Sequence, residues 1–452
     1  MTTVKSCLNE PMLYCKNDNF WFEAEDKYLG SPADMSLSRL LSAIFLGPKF
    51  QNLSFDKNML LRPTGTVVSP LTSEFHDQSI KFQDAWLTPP TNDDDPADLL
   101  FKNIEASIQN SDIATRYVVR FSGGLDSMGI LLSLLSMVAP SKILAVTYRS
   151  LNSSCNEDIE NASLMCRELK IPHMILDLLP THIFREIEIN ALPILSSRYA
   201  SISFYEYERR RIENVTGGNH IVFDGHGGDH VFGERIPVRV ISQLLKELRP
   251  LEAIRTAKNM ARMEGLNLFT TMNRKRLEQN AFDASVKRYL LEPSLLPKIE
   301  IPCSLYQERI DHLEEAVAQV AVSSVVDRYT NVHFPFVGKS MIRYGANLCI
   351  ERSFDSQVRR KQYRDAIEKK WSYPIKRIQK GHVTGAYQVA LRERKLQIKS
   401  LIEQGYLARR KILNTSALLT DVEASSRGVG GLNSFVMRII TAELLLKKLG
   451  QS

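Results

Sequence analysis

A six-residue loop between a strand pattern and a helix pattern constrains the fold of this chain more than any other feature. The sequence Ser-Gly-Gly-Leu-Asp-Ser fills positions 122–127, after a β-prone run at 117–121 and before a helix pattern at 128–138. Glycines let backbone amides approach an anion closely, and the helix N-terminus adds the positive end of its dipole. The two serines add hydroxyl donors, and Asp126 is suited to binding Mg²⁺. We therefore expect a nucleotide phosphate site here, although a simple capped turn has the same composition.

The segments that follow this loop alternate between strand and helix patterns. Short apolar runs typical of strands recur at 143–148, 174–178 and 220–223, and helix patterns such as 157–169 separate them. Strands separated by helices of this length indicate βαβ units and a parallel sheet. From about residue 240 onward the pattern is mostly helical. The predicted fold class is therefore α/β, a doubly wound parallel sheet with a largely helical C-terminal part.

The first 94 residues differ in character from the rest of the chain. They combine short strand and turn patterns with one helix pattern at 37–46, and a Pro- and Asp-rich stretch at 88–96 is the clearest linker. At its end, Asp95 can cap a helix that begins at Pro96. We expect a small β-rich domain at 1–94 and a larger domain at 95–452.

Composition limits the class of protein. The 452 residues are 44% hydrophobic and 24% charged, and a net charge of +7 is too mild over this length to require nucleic acid as a partner. The longest nearly apolar run, at 129–140, falls far short of the ~20 residues of a membrane helix, and the N-terminus has no apolar signal core. No membrane span is expected, and the expected location is the cytoplasm. Scattered cysteines fit reduced thiols and do not indicate structural zinc; they are Cys7, Cys15, Cys155, Cys166, Cys303 and Cys349.

A second glycine-rich loop follows the strand pattern at 220–223. It reads Asp-Gly-His-Gly-Gly-Asp-His-Val-Phe-Gly over 224–233, and taken alone it also fits a surface turn with two histidines. The first loop resembles the pyrophosphate loop of enzymes that cleave ATP to AMP and pyrophosphate, and it lacks the Gly-Lys-Ser/Thr of a Walker loop. The second resembles the Ser-Gly-Glu-Gly-Ala-Asp-Glu-Leu-Phe-Gly block of asparagine synthetases.

This resemblance implies the PP-loop fold, that of the adenine nucleotide α-hydrolase-like proteins, with ATP and Mg²⁺ as cofactors. A loop of the second type places Asp229 across the nucleotide from Asp126, so the two carboxylates would hold the metal. The residues that would contact ATP or pyrophosphate are Ser122, Gly123, Gly124, Asp126, Ser127, Thr147, Gly225, Gly227, Gly228 and Lys361.

Two weaker similarities follow in the same order along the chain. His-Phe-Pro-Phe-Val at 333–337 resembles the Arg-Val-Pro-Phe-Leu-Asp block of asparagine synthetases, although Gly338 replaces the aspartate. The basic stretch at 359–366 and the pair Lys380-Gly381 resemble the family's lysine-rich helix and its downstream Lys-Gly loop. The resemblance implies that Lys380 is catalytic and neutralises charge on the phosphates and the acyl-adenylate. Without it, Lys380 reads as part of an ordinary solvated turn.

The N-terminal part departs from the asparagine synthetases. Residues 45–47 and 61–65 resemble the end of their glutaminase domain, so 1–94 would be a truncated glutaminase-like domain. The catalytic N-terminal cysteine is missing, because position 2 is Thr2. Cys7 and Cys15 cannot replace it, since the chemistry uses the free terminal amine as the base. We therefore expect the substrate itself, rather than glutamine, to supply the amine.

The amide-forming relatives without glutaminase activity are the β-lactam synthetases and the lasso-peptide macrolactam cyclases. The block at 224–230 most resembles the cyclases, with His226 where asparagine synthetases have glutamate. His226 could act as a catalytic base for the attacking amine or donate to pyrophosphate. No tyrosine–glutamate pair like that of β-lactam synthetases is evident, because the glutamate position falls near Asn331. The basic cluster at 209–211, interleaved with Glu206 and Glu208, is expected on a solvated helix face.

The resulting hypothesis is a lasso-peptide cyclase, an ATP-dependent carbon–nitrogen ligase. It would adenylate a side-chain carboxylate of a precursor peptide and close a macrolactam with the peptide's N-terminal amine. The resemblance implies two partners, the precursor peptide and a leader peptidase. The alternatives are an asparagine-synthetase-like or β-lactam-synthetase-like enzyme, a tRNA-modifying enzyme of the same ATP-cleaving group, and a non-catalytic scaffold.

Overall fold

A computed structural model provides the structure of the chain. It describes residues 12–17, 20–23, 35–47, 54–56, 59–62, 66–67, 81–82, 84–89, 95–109, 116–150, 157–189, 191–237, 239–297, 304–326, 331–375 and 384–450. Residues of the sequence analysis that lie outside these ranges include the predicted catalytic Lys380, Thr2 and Cys7.

The strands of the described residues are β1 Met12–Asn17, β2 Phe20–Glu23, β3 Met59–Arg62, β4 Thr66–Val67, β5 Lys81–Phe82, β6 Arg116–Arg120, β7 Ile143–Ser150, β8 His173–Leu178, β9 His220–Phe223 and β10 Val332–His333. The helices are α1 Leu37–Phe45, α2 Asp84–Leu87, α3 Pro96–Gln109, α4 Leu125–Leu135, α5 Glu157–Glu168, α6 Ile202–Thr216, α7 Gly228–Val231, α8 Arg239–Lys246, α9 Pro250–Glu264, α10 Leu268–Tyr289, α11 Leu305–Val326, α12 Lys339–Ala346, α13 Lys361–Trp371, α14 Thr384–Glu393, α15 Lys395–Gln404, α16 Tyr406–Arg409, α17 Thr415–Ser426 and α18 Ser434–Lys448.

The centre of the molecule is a parallel five-stranded sheet. Its strand order is β10-β9-β6-β7-β8, and every neighbouring pair is parallel. The chain starts in the middle at β6, runs to one edge through β7 and β8, and then returns to place β9 and β10 on the other side of β6. Such a reversal opens a crevice at the carboxyl ends of the two strands that flank it, β6 and β9. The predicted α/β doubly wound sheet is confirmed.

Both faces of this sheet are buried, because its strands alternate between two hydrophobic cores. Val118 of β6 and Val222 of β9 point into one core, whereas their neighbours Val119 and Phe223 point into the other. Helices α3, α4, α11, α12 and α13 contribute to the core that contains Val119, and α6, α14, α17 and α18 contribute to the opposite one. Covering on both faces is what a parallel sheet of continuous apolar strands requires. The mostly helical C-terminal part is also confirmed.

Helix α1, from the first 94 residues, shares a core with the C-terminal helices. Leu40 and Ile44 of α1 are fully buried in the same cluster as α18, and the rings of Phe45 and Phe435 stack with centroids 5.6 Å apart. Strands β1, β2 and β3 form an antiparallel sheet, and β4 pairs with β5. The glutaminase-like character of this part and the boundary between 94 and 95 remain predictions.

None of the helices in the described ranges combines the length and the apolar composition that a membrane span requires.

Candidate active site

The two glycine-rich loops meet at the crevice between the carboxyl ends of β6 and β9. The first loop leaves β6 and enters α4, and the second leaves β9 and enters the short helix α7. β6 and β9 are direct neighbours, with Val119 paired to Phe223. Loops that follow adjacent parallel strands emerge at the same edge of the sheet, which explains why segments a hundred residues apart in sequence are in contact.

The first loop is held by its own serines. Ser127 Oγ accepts from the Ser122 amide at 3.2 Å and donates to the Gly124 carbonyl at 3.1 Å. Gly123 has a φ of +70°, and a Cβ there would lie 3.2 Å from the Asp158 carbonyl oxygen of α5, so a larger residue would be strained. Gly124 occupies the N-cap of α4 and provides no capping side chain. The first backbone amides of α4 therefore have no acceptor from a capping side chain, as is typical of helix N-termini that bind anions.

The second loop packs directly on Asp126. A Cβ added to Gly228 would lie 2.4 Å from Asp126 Oδ1, and one added to Gly225 would lie 3.2 Å from Asp126 Cβ. Gly227 has a φ of +96°, and a Cβ there would lie 2.8 Å from Val337 Cγ1. The glycines of this loop thus allow backbone to approach both the first loop and the 333–337 segment. Three of the predicted motifs converge at one place.

Arg360 is the cation that contacts Asp126. Its Nη1 donates to both Asp126 oxygens at 2.7 Å, and its Nε lies 2.8 Å from Glu234 Oε2. Burial by itself would lower the pKa of Arg360, but the carboxylates of Asp126 and Glu234 hold it above its ordinary value. The predicted ligand Lys361 lies one residue further along, and its Nζ is 3.4 Å from Asp365 Oδ2 on the surface of α13. Lys361 therefore stays a prediction, and Arg360 is a site residue that the sequence reading missed.

The second loop carries Asp229 and two histidines, His226 and His230. Asp229 Oδ1 accepts from the His230 amide at 3.0 Å and from His230 Nδ1 at 2.8 Å. Burial acts to raise the pKa of Asp229, but the bonds from His230 and the charges of His226 and Arg360 hold it well below its ordinary value. Burial lowers the pKa of His226, an effect that the carboxylate of Asp224 opposes. Its Nε2 atom is buried and has no hydrogen-bond partner among the described residues.

A buried polar network lies directly beneath the two loops. Arg120, at the end of β6, forms two bonds to Glu208 of α6 at 2.8 and 3.0 Å and a third to Asp224 at 3.0 Å. Tyr148 donates to Glu208 Oε1 at 2.5 Å. Burial raises the pKa of Tyr148 well above its ordinary value, an effect that Arg120 opposes and Glu208 reinforces. The expectation that Glu208 lies on a solvated helix face is wrong, because this residue is 2% exposed.

This network also contains a tyrosine–glutamate pair, which the sequence reading did not detect. Tyr148 and Glu208 are 60 residues apart and come from a strand and a helix, so no local pattern joins them. The available signal was Arg120, a charged residue between the apolar pair Val118-Val119 and the first loop. A buried charge of that kind requires a partner of opposite sign nearby.

Thr147 lies beneath the first loop rather than in the crevice. It is 3% exposed, and its Oγ1 lies 2.6 Å from the Phe121 carbonyl and 2.8 Å from His173 Nε2. The first contact ties β7 to the residue that precedes Ser122, and the second ties it to β8. Contact of Thr147 with ATP stays a prediction, and its described bonds assign it a part in positioning the loop.

Comparisons with known proteins add little to this geometry. No protein-family model matches the chain, and no curated protein matches it. One matching solved structure is the NH3-dependent NAD synthetase from Campylobacter jejuni, which covers 45% of this chain and 97% of its own at 14% identity. Its TM-score is 0.22, which is too low for the match to support a statement about function.

Proposed function

We propose that this chain is an ATP-dependent, AMP-forming amide synthetase. One observation carries this proposal: the predicted phosphate loop and the loop of Asp229 meet at the reversal point of the sheet, with Gly225 and Gly228 packed on Asp126. Crevices at this position are where open α/β sheets bind ligands. The contact brings a helix N-terminus, hydroxyl groups, two carboxylates and a buried arginine to one place.

The phosphate chain of ATP would lie over the first loop. Amides at the start of α4 and the Ser122 hydroxyl would donate to phosphate oxygens, and the α4 dipole would favour their negative charge. Arg360 would supply a charged guanidinium that remains ionised at any physiological pH.

The donor atoms also fit Mg²⁺. Asp229 uses Oδ1 for both bonds to His230, and its side chain is half exposed, which leaves Oδ2 for a metal. Asp126 would provide the second carboxylate, which also pairs with Arg360. Mg²⁺, when bound, would neutralise charge on the pyrophosphate leaving group.

The reaction would proceed in two steps, adenylation and amide formation. A carboxylate oxygen of the substrate attacks the α-phosphorus, the bond to pyrophosphate breaks, and an acyl-adenylate forms. An amine nitrogen then attacks the acyl carbon, the bond to AMP breaks, and a proton leaves the nitrogen. His226 has a buried imidazole whose pKa is lowered by burial and whose Nε2 has no hydrogen-bond partner among the described residues, which supports a role in accepting this proton. Lys380 remains the predicted cation for the acyl-adenylate.

For the finer substrate class we propose a precursor peptide that is closed into a macrolactam. An open groove of about 470 Å³ is lined by Glu234 and Arg359, next to Arg360, together with Arg235, Met263, Glu264, Leu266, Arg274 and Glu278. A groove of mixed charge beside the crevice supports a peptide carrying both a carboxylate and an amine. Holding both groups in one site would make the second step effectively unimolecular. The predicted leader peptidase would expose the amine.

A second candidate is a small-molecule amide synthetase of the β-lactam-forming type. The buried pair Tyr148–Glu208 favours it, because the sequence pattern did not reveal a tyrosine–glutamate pair like that of the β-lactam synthetases. The pair is beneath the loops and already bonded to Arg120, which fits a supporting role equally well.

Mass spectrometry tests the peptide-cyclase proposal against the asparagine-synthetase alternative. A candidate peptide incubated with the protein and Mg·ATP should lose one water and release pyrophosphate. Asp126→Ala should abolish that release, whereas Asp177→Asn, which removes a surface carboxylate paired with Arg149, should not. Free asparagine formed from aspartate and ammonia would instead support the asparagine-synthetase alternative. Pyrophosphate release retained in Asp126→Ala would contradict the site.

A further inference from the structure

We propose that His230, His312 and Glu315 form a binding site for a transition-metal dication of the zinc type, beside the nucleotide crevice. One ligand atom from each residue lies within 4.8 Å of the other two. Two imidazoles and one carboxylate form a donor set that suits Zn²⁺, and Mg²⁺ and Ca²⁺ prefer oxygen ligands. None of its three ligands is a residue proposed to bind Mg²⁺, and the assignment does not depend on the proposed function.

The spacing of the three ligands requires only a small contraction to hold a metal. Ligand atoms on a tetrahedral zinc with bonds of about 2.0–2.1 Å lie roughly 3.3 Å apart. Nδ1 of His312 is already 3.7 Å from Glu315 Oε2, and the rings of His230 and His312 lie 4.4 Å apart between centroids. The three ligand atoms lie within 4.8 Å of one another, so a contraction of about 1.5 Å or less would bring them to zinc spacing. A fourth position would remain for water or another ligand.

The backbone that carries these ligands is fixed. His312 and Glu315 are three residues apart on α11, which places them on the same helical face. His230 comes from α7, and Arg309 of α11 joins the two helices by donating to the carbonyls of His230 and Val231. Arg309 itself is buried and also donates to the Gly345 carbonyl at 2.8 Å. The three ligands thus come from a rigid junction of two helices.

Asp229 sets the orientation of the His230 ring. A carboxylate can only accept, so the 2.8 Å contact with Asp229 Oδ1 requires a proton on His230 Nδ1. The other ring nitrogen, Nε2, then carries the lone pair that a metal needs. Histidines that bind metals generally donate their second nitrogen to a carboxylate in this way. This bond is the feature that distinguishes the site from a pair of histidines that merely stack.

Metal binding to the intact chain tests this assignment. Full-length protein is treated with a chelator and then titrated with Zn²⁺, and with Co²⁺ as a probe whose visible absorption reports tetrahedral nitrogen and oxygen ligands. We expect a single equivalent of tight binding. His312→Ala should abolish it, and the nearly isosteric Glu315→Gln should weaken it at least tenfold. Asp229→Asn should weaken it by roughly 10- to 100-fold, since it acts through His230.

A histidine outside the cluster provides the control. His182→Ala removes a ring that stacks on Tyr207 and should leave stoichiometry and affinity unchanged. Circular dichroism of each variant shows whether it has folded, and Glu315→Gln keeps the test decisive if His312→Ala does not fold. Absence of binding in the wild type, or equal binding in the wild type and a folded Glu315→Gln variant, would overturn the metal site. Neither result bears on ATP binding, which is measured separately.

Discussion

Arg360 donates from a single nitrogen, Nη1, to both carboxylate oxygens of Asp126, at 2.7 Å each. The two residues are 234 positions apart, and both side chains are largely buried, at 8% and 16% exposure. Arg360 itself has a φ of +54°, in the left-handed region that non-glycine residues seldom adopt. The fold therefore holds a guanidinium, through strained backbone, against the carboxylate of the phosphate loop. Strain of this kind is concentrated at functional sites.

Replacing Arg360 should cost stability as well as function. Arg360→Met leaves Asp126 buried without its cation, and breaking a buried pair from one side typically costs about 3–5 kcal/mol. Chemical denaturation of the variant measures the loss. The double variant Arg360→Met/Asp126→Leu removes both charges and should recover much of it. A loss of less than about 0.5 kcal/mol in Arg360→Met would contradict a buried ion pair.

Gly228→Ala should disturb the contact between the two loops. The new methyl would lie 2.4 Å from Asp126 Oδ1, so either the carboxylate or the loop must shift. We expect overpacking to cost about 1–3 kcal/mol and ATP affinity to fall. Gly217→Ala is a useful control, because its φ of +71° also strains the variant while no atom lies within 4 Å of the added Cβ. Equal ATP affinity in both variants would show that the loops need not touch.

The network beneath the loops predicts that two glutamates of α6 differ sharply in their contribution. Glu208→Gln weakens the bidentate pair with the buried Arg120, and we expect a loss of about 3–5 kcal/mol in the free energy of unfolding. Glu213→Gln removes a surface pair with Arg209 and should cost no more than about 0.5 kcal/mol. Denaturant titrations of the two variants test the difference. Similar losses would mean that Glu208 is solvated after all.

Glu443 predicts a pH dependence that is opposite in sign to that of most carboxylates. Burial raises its pKa from the ordinary 4.5 to about 7, although the amides of Tyr406 and Leu407 donate to it at 2.9 Å. The native state therefore binds more protons than the unfolded state between these values. The contribution of this group to stability is fully present below pH 4.5 and is lost as the pH rises through about 7.

Comparison with a neutral variant isolates this effect. Glu443→Gln does not titrate, so the free energy of unfolding of the wild type should fall relative to this variant as the pH rises through that range. The surface variant Glu403→Gln on α15 should follow the wild type. If the free energy of unfolding of the wild type and of Glu443→Gln changed with pH in parallel, the raised pKa of Glu443 would be contradicted.

The architecture was largely readable from the sequence because it depends on local patterns. Strand β9 begins and ends at the predicted residues, and helix α5 lies within one residue of its predicted range. Continuous apolar runs between helices imply a parallel sheet, and a glycine-rich loop between strand and helix marks its ligand-binding edge. Contact between the loops at 122–127 and 224–233 follows from the same topology.

The side-chain chemistry of the site was less readable, because partners come from distant segments. Arg360 and Lys361 are adjacent basic residues at the start of α13, yet Arg360, whose backbone is left-handed, contacts Asp126, whereas Lys361 pairs with Asp365. Glu208 lies beside the basic run at 209–211 and two residues after Glu206, which makes its burial invisible to a charge pattern. Thr147 has the hydroxyl that a phosphate contact needs, yet Phe121 and His173 occupy it.

The most direct measurement of the central claim is the Mg²⁺ dependence of ATP binding, since it needs no knowledge of the substrate. Calorimetric titration of ATP into the wild type, with and without Mg²⁺, is compared with the same titrations of Asp126→Asn and Asp177→Asn. We predict that Mg²⁺ strengthens binding in the wild type and in Asp177→Asn, and that this gain disappears in Asp126→Asn. No ATP binding in the wild type, or an equal gain in all three proteins, would contradict the proposed nucleotide site.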